Sequence, residues 1–176
     1  EHGNHAMILG PDGMIYVVQG NHTPLPPRSN PESPLRNWAE DDLLPRLWDA
    51  NGHAVGVMTP GGVVMRTDPD ITGFEIVAGG LRNAYDLAFN ETGDLFTWDS
   101  DMEWDLGTPW YRPPRALHVV SGGEFGWRGG TAKWPDWYPD SLPTMLDMPQ
   151  GSPTGMVFGG QSNFPEPWKS ALFHAD

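Results

Sequence analysis

The sequence contains no cysteine. Disulfides, iron–sulfur clusters, thiolate zinc sites and covalent haem attachment are therefore excluded within it. Basic residues are scarce, with 10 Lys and Arg against 23 Asp and Glu, a formal net charge of −13. Binding to a phosphate backbone needs clustered Lys and Arg, so nucleic acid is not an expected partner. No run of about 18 apolar residues occurs, so no membrane segment is expected in this chain. Apolar residues nowhere keep a helical period over a dozen positions, and 22 Gly with 19 Pro interrupt the chain throughout. That pattern argues against a helix-rich fold. Aromatics, by contrast, are abundant, and nine Trp do not fit a disordered chain.

The length of 176 residues suits one domain. The chain opens at Glu1 without Met and stops at Asp176, soon after the apolar pair Leu172-Phe173, which reads as strand. The expectation is a single domain over 1–176, truncated at both ends. The absence of a leader then says nothing about compartment. Absent cysteine is compatible with an oxidising compartment without requiring one.

A short hairpin recurs along the chain. Ala6-Met7-Ile8-Leu9 leads into Gly10-Pro11-Asp12-Gly13 and then Met14-Ile15-Tyr16-Val17-Val18. Pro presets φ for a turn and Gly accepts φ > 0. The same shape returns as Leu87-Ala88-Phe89, Asn90-Glu91-Thr92-Gly93 and Asp94-Leu95-Phe96-Thr97-Trp98. A looser copy runs from Met156-Val157-Phe158 to Ala171-Leu172-Phe173-His174. Ile15, Leu95 and Leu172 fall at near-equal intervals, which is a repeat signature. A propeller blade takes about 40–50 residues, so each interval reads as one blade plus long loops. Further strands are expected over 53–59, 63–67, 74–78 and 117–120, and a helical turn or two over 39–44. The fold expected is an all-β propeller, with about three blades of antiparallel strands present and function in the loops between them. Half a propeller leaves strand edges unpaired, so poor solubility or strand exchange is expected of the segment alone.

Four constellations can carry chemistry. Glu1-His2-Gly3-Asn4-His5 precedes the first hairpin and Gln19-Gly20-Asn21-His22 follows it. A hairpin joins its two ends, so His2, His5, Asn21 and His22 can meet. A neutral imidazole there can take a proton from an alcohol, or simply cap a loop. Gly79-Gly80-Leu81-Arg82-Asn83-Ala84-Tyr85-Asp86 precedes the second hairpin. The planar fork of Arg82 suits a carboxylate, either of a ligand or of nearby Asp86. Asp99-Ser100-Asp101-Met102-Glu103-Trp104-Asp105 alternates acids after a strand, and such oxygens suit Ca²⁺ or remain solvated. Asp99, Asp101, Met102 and Glu103 are the candidate metal segment. Trp104, Trp110, Tyr111, Trp127, Trp134, Trp137 and Tyr138 either stack on a ligand or pin the loops, and the second role is expected for most.

These residues resemble a known family. His2 before Gly10-Pro11-Asp12-Gly13, then Met14-Ile15-Tyr16-Val17 and Gln19-Gly20-Asn21, is similar to the glucose/sorbosone dehydrogenase family. So is Gly80-Leu81-Arg82-Asn83 through Asp94-Leu95-Phe96. Asp99 to Asp105, Gly126-Trp127-Arg128 and Gly151-Ser152-Pro153-Thr154-Gly155 resemble its bacterial branch of membrane-bound dehydrogenases. The resemblance implies a six-bladed propeller, pyrroloquinoline quinone (PQQ) and Ca²⁺, with a c-type haem domain as an electron acceptor outside this segment. It implies a periplasmic or secreted location. It places the catalytic base on His2 and the quinone-contacting pair on Arg82 and Asn83. Calcium falls near Asp101 and Met102, through backbone oxygens.

Two positions depart from the family pattern. Asn21 stands where its soluble glucose dehydrogenases have an Asp that orients the base. Asn keeps a hydrogen bond but not the charge that stabilises imidazolium. His5 stands where Gly is usual, so His2 and His5 can exchange roles. The activity implied is oxidation of a sugar or alcohol, with hydride passing to the quinone and the proton to His2. A calcium-dependent lactonase-type hydrolase and a non-catalytic propeller binding carbohydrate or protein remain open as alternatives.

Overall fold

The structure is a computed structural model and describes residues 2–36, 61–101, 112–128, 132–133 and 137–176. The strand expected over 53–59 and the helical turn expected over 39–44 lie outside the described residues. The described residues form thirteen β-strands and one 3-10 turn, with no α-helix among them. No helix of the described residues is long and apolar enough to cross a membrane.

The first sheet is an antiparallel meander of β1 (Asn4–Leu9), β2 (Ile15–Gln19), β3 (Gly62–Thr67) and β4 (Glu75–Leu81). After β5 (Leu87–Phe89), β6 (Leu95–Asp99) and β7 (Arg115–Val119) comes β8 (Gly123–Glu124), which returns parallel to β4. The second sheet is β5, β6 and β7 with β11 (Leu146–Asp147) on its far edge. Between them in sequence, β9 (Trp127–Arg128) and β10 (Ala132–Lys133) form a small pair. The third sheet is the hairpin of β12 (Gly155–Phe158) and β13 (Leu172–Ala175). The four-stranded meander of the first sheet, the four-stranded second sheet and the two-stranded third sheet match the three units expected.

The turns that the sequence marks close as expected. Gly13 N–H donates to Gly10 O at 3.0 Å and Gly93 N–H to Asn90 O at 3.1 Å. Both glycines sit at positive φ, at 79° and 89°, where a side chain would strain the backbone.

Strand alternation then divides the core. Tyr16, Val18, Val64 and Ala78 of the first sheet pack against Leu87, Leu95 and Leu117 of the second. Trp98, one position from Asp99, points the other way and packs with Ala88 and Met156. The outer face of the first sheet, including Met65 and Ile76, is covered by Leu25 and Leu35 of the β2–β3 connection. That connection is tied down where Leu35 N–H donates to Ile76 O at 3.0 Å.

Antiparallel pairing also fixes which ends coincide. Asn4 pairs with Gln19, and Gly62 pairs with Leu81. The start of β1 and the ends of β2 and β4 therefore lie together. The segments before β5 and after β6 lie side by side because Leu87 pairs with Thr97, and they join this end where Asp99 accepts from the Arg82 N–H.

Candidate functional site

At this shared end, two imidazoles are held by two carboxamides. His2 Nδ1 lies 2.5 Å from Asn21 Oδ1. A carboxamide oxygen accepts only, so Nδ1 carries a proton and, in the neutral ring, the lone pair is on Nε2. The His2 ring stacks on His22, with centroids 4.3 Å apart. His5 Nε2 lies 2.6 Å from Asn83 Oδ1, which gives His5 the opposite tautomer, with the lone pair on Nδ1. The His5 ring stacks on Tyr85 with centroids 4.3 Å apart and planes 20° from parallel. Asn21 is buried and its N–H donates to Arg82 O at 2.8 Å, which joins the two hairpins.

Gly20 permits this approach. A Cβ there would lie 2.7 Å from Asn83 Oδ1 and 2.8 Å from the carbonyl of His2. Both distances are shorter than side chains tolerate, so only glycine lets Asn83 cross to His5.

Arg82 and Asn83 are set from below by Asp99. Its Oδ1 accepts the backbone N–H of Arg82 at 2.9 Å, of Asn83 at 2.8 Å and of Ser100 at 3.1 Å. Its Oδ2 accepts from Arg115 Nη2 at 3.0 Å. Arg115 is itself spent on Phe125 O at 2.6 Å and Gly80 O at 3.0 Å. Asp99 is 0% exposed. The sequence grouped Asp99 with the calcium segment, whereas these bonds give its carboxylate the part of an anchor for the Arg82–Asn83 turn.

Arg82 is buried, and its Nη1 donates to Ser100 Oγ at 3.2 Å and to the backbone oxygen of Asp101 at 2.9 Å. Pairing with Asp86 was the other sequence reading of this arginine. Asp86 instead accepts from Leu87 N–H and from Met156 N–H, both at 2.8 Å, and so ties the third sheet to the second.

The structure thus brings His2, His5, Asn21, Arg82, Asn83, Asp99 and Asp101 to one end. Met102 and Glu103 lie outside the described residues. Among the described residues no group of three or more His, Asp or Glu is placed to hold a metal. Of the aromatics, Trp127 is buried as expected and Trp137 is 80% exposed. Trp104, Trp110, Tyr111 and Trp134 lie outside the described residues. Sequence reasoning missed Arg115, Tyr85 and Asp99's anchoring part. Arg115 emerges only from the strand register, which makes it the cross-strand partner of Asp99, because the strand expected over 117–120 begins earlier, at Arg115.

At the opposite, turn end, Tyr16 donates to Asp12 Oδ2 at 2.9 Å and Arg66 Nε to Glu75 Oε2 at 2.7 Å. Burial pushes the Tyr16 phenol up from its ordinary value. The hydrogen bond to Tyr16, then that to Glu75, pushes the Arg66 guanidinium up.

The fold class is all-β, with antiparallel sheets arranged as in propeller-type dehydrogenases. Two solved structures are similar to it. One is a protein from Thermus thermophilus described as an oxidoreductase (glucose dehydrogenase), with TM-score 0.55 and 22% identity over 89% of this chain. The other is the PQQ-bound form of an aldose sugar dehydrogenase from Streptomyces coelicolor, with TM-score 0.55 and 17% identity over 88% of this chain. The chain spans 42% and 39% of their lengths. At such identities the likeness is one of fold. No family model and no curated protein sequence matches the chain.

Proposed function

We propose that this chain carries the substrate and cofactor end of a PQQ-dependent dehydrogenase that oxidises a sugar or alcohol. The observation that carries the reading is one convergence: the proton-accepting His2 and the Arg82–Asn83 pair share one end of the sheets. The two similar structures, one described as a glucose dehydrogenase and one a PQQ-bound aldose sugar dehydrogenase, support it.

The donors fit the group. PQQ is flat, carries carboxylates and presents carbonyls. Arg82 brings to this end a buried guanidinium, positioned by its bonds to Ser100 Oγ and the Asp101 backbone oxygen, in a chain of net charge −13. Asn83 offers its amide Nδ2, which has no hydrogen bond among the described residues. When bound, the quinone supplies the hydride acceptor.

The remaining work falls to the chain. His2 takes the hydroxyl proton on Nε2, because Asn21 keeps the other proton on Nδ1. Asn21 orients the ring without adding a charge. Asp99 and Arg115 hold the Arg82–Asn83 turn so that it need not reorganise when ligand arrives. Calcium belongs to the same reading; of its expected segment, Asp101 lies at this end of the sheets, with its backbone oxygen accepting from Arg82 Nη1. A periplasmic or secreted location and an electron acceptor such as a c-type haem domain complete it.

The test is oxidation of an aldose by the intact protein with added quinone, calcium and an artificial electron acceptor. His2→Ala is expected to lower kcat/KM by about 10²–10⁴. An unchanged rate in that variant would remove His2 from the chemistry.

A further inference from the structure

We propose that Tyr85 and His5 form a sugar-binding wall that selects a hydroxyl-bearing ring over an open-chain alcohol. The inference rests on the dehydrogenase reading and names its substrate class.

Tyr85 is 41% exposed, unlike the fully packed Trp98 and Trp127. One face of its ring is covered by His5, at 4.3 Å and 20°. The opposite face and the edge are the parts of the ring that His5 leaves uncovered. That surface is held firmly. His5 is fixed by Asn83 Oδ1 at 2.6 Å, and Asn83 is fixed by the buried Asp99 carboxylate at 2.8 Å. A chain of contacts thus runs from a buried anchor to an exposed aromatic ring.

The chemistry offered matches a sugar ring. The outer face of Tyr85 gives the C–H face of a pyranose a flat apolar surface. The Tyr85 hydroxyl donates and accepts, and the lone pair on His5 Nδ1 accepts. A site that hydrogen-bonds substrate hydroxyls discriminates strongly against analogues without them, because its polar groups are then left unpaired.

The experiment is saturation-transfer NMR on the intact protein with glucose as probe, beside a PQQ absorbance titration. The variants are Tyr85→Ala, Tyr85→Phe and His5→Gly. Transfer concentrated on one face of the pyranose is expected, with glucose about tenfold weaker in Tyr85→Ala and in His5→Gly. Tyr85→Phe, which keeps the stack on His5, should retain most of the affinity and so show that loss in Tyr85→Ala is not misfolding. The ratio of KM for glucose to KM for 1-propanol should rise in Tyr85→Ala. Glucose affinity unchanged in both truncations, or no transfer to glucose in the unaltered protein, overturns the wall. Quinone binding with glucose untouched by Tyr85→Ala removes the wall and leaves the dehydrogenase. Glucose lost in Tyr85→Ala without any quinone binding keeps the wall and removes the dehydrogenase.

Discussion

Arg115 holds the Asp99 carboxylate at 3.0 Å, with side-chain exposures of 9% and 0%. The two residues face each other across β6 and β7. Removing one member of such a pair leaves a buried charge without its partner. Asp99→Asn or Arg115→Met should therefore cost about 3–5 kcal/mol of stability in denaturant unfolding. The double variant Asp99→Asn with Arg115→Met should cost less than the sum of the two. Additive losses would show that the pair is not coupled.

Arg66 and Glu75 make an ion pair of similar geometry, at 2.7 Å, but both side chains are about one-third exposed. Solvent screens such a pair. Glu75→Gln should change stability by no more than about 1 kcal/mol, and less in high salt. A loss as large as that of Asp99→Asn would show that burial does not set the strength of these two pairs.

Gly20→Ala introduces a Cβ into the contact between Asn83 Oδ1 and the His2 carbonyl. Overpacking of this kind costs about 1–3 kcal/mol. Because the strain falls on the site, glucose and quinone affinity should fall even where the protein stays folded. Retained affinity with lowered stability would show that the backbone yields elsewhere.

The Tyr16 phenol titrates above its ordinary value because it is buried. The folded state therefore holds this proton more tightly than the unfolded chain. Its contribution to stability is present below the unfolded value of about 10 and is lost as pH rises through the folded one. Unfolding midpoints of the chain and of Tyr16→Phe should thus converge as pH rises past about 10. Ultraviolet absorbance should show one tyrosine fewer in the latest-ionising group of Tyr16→Phe. Parallel midpoints across that range would contradict the shift.

Much of the fold is legible in the sequence, since local signals carry it. Pro11-Asp12-Gly13 and Thr92-Gly93 mark their turns, and alternation marks the strands beside them. The meeting of His2 with Asn21 follows from the hairpin between them. The contact of His5 with Asn83 does not, because it depends on how two sheets pack. The acid run after Trp98 looks uniform in sequence, yet strand alternation turns Asp99 inward, on the same side as Leu95 and Thr97. Its neighbour Trp98 faces the third sheet instead. Burial, which sequence spacing does not reveal, makes an anchor of a residue that resembles a metal ligand.

The central claim is tested most directly by titrating the intact protein with PQQ, with and without Ca²⁺, and following the cofactor's absorbance. The account predicts calcium-assisted binding, about a hundredfold weaker in Arg82→Ala and partly restored in Arg82→Lys, since a charge-assisted fork is lost and then a point charge returned. Absence of binding by the unaltered protein, or equal affinity in Arg82→Ala, would contradict it.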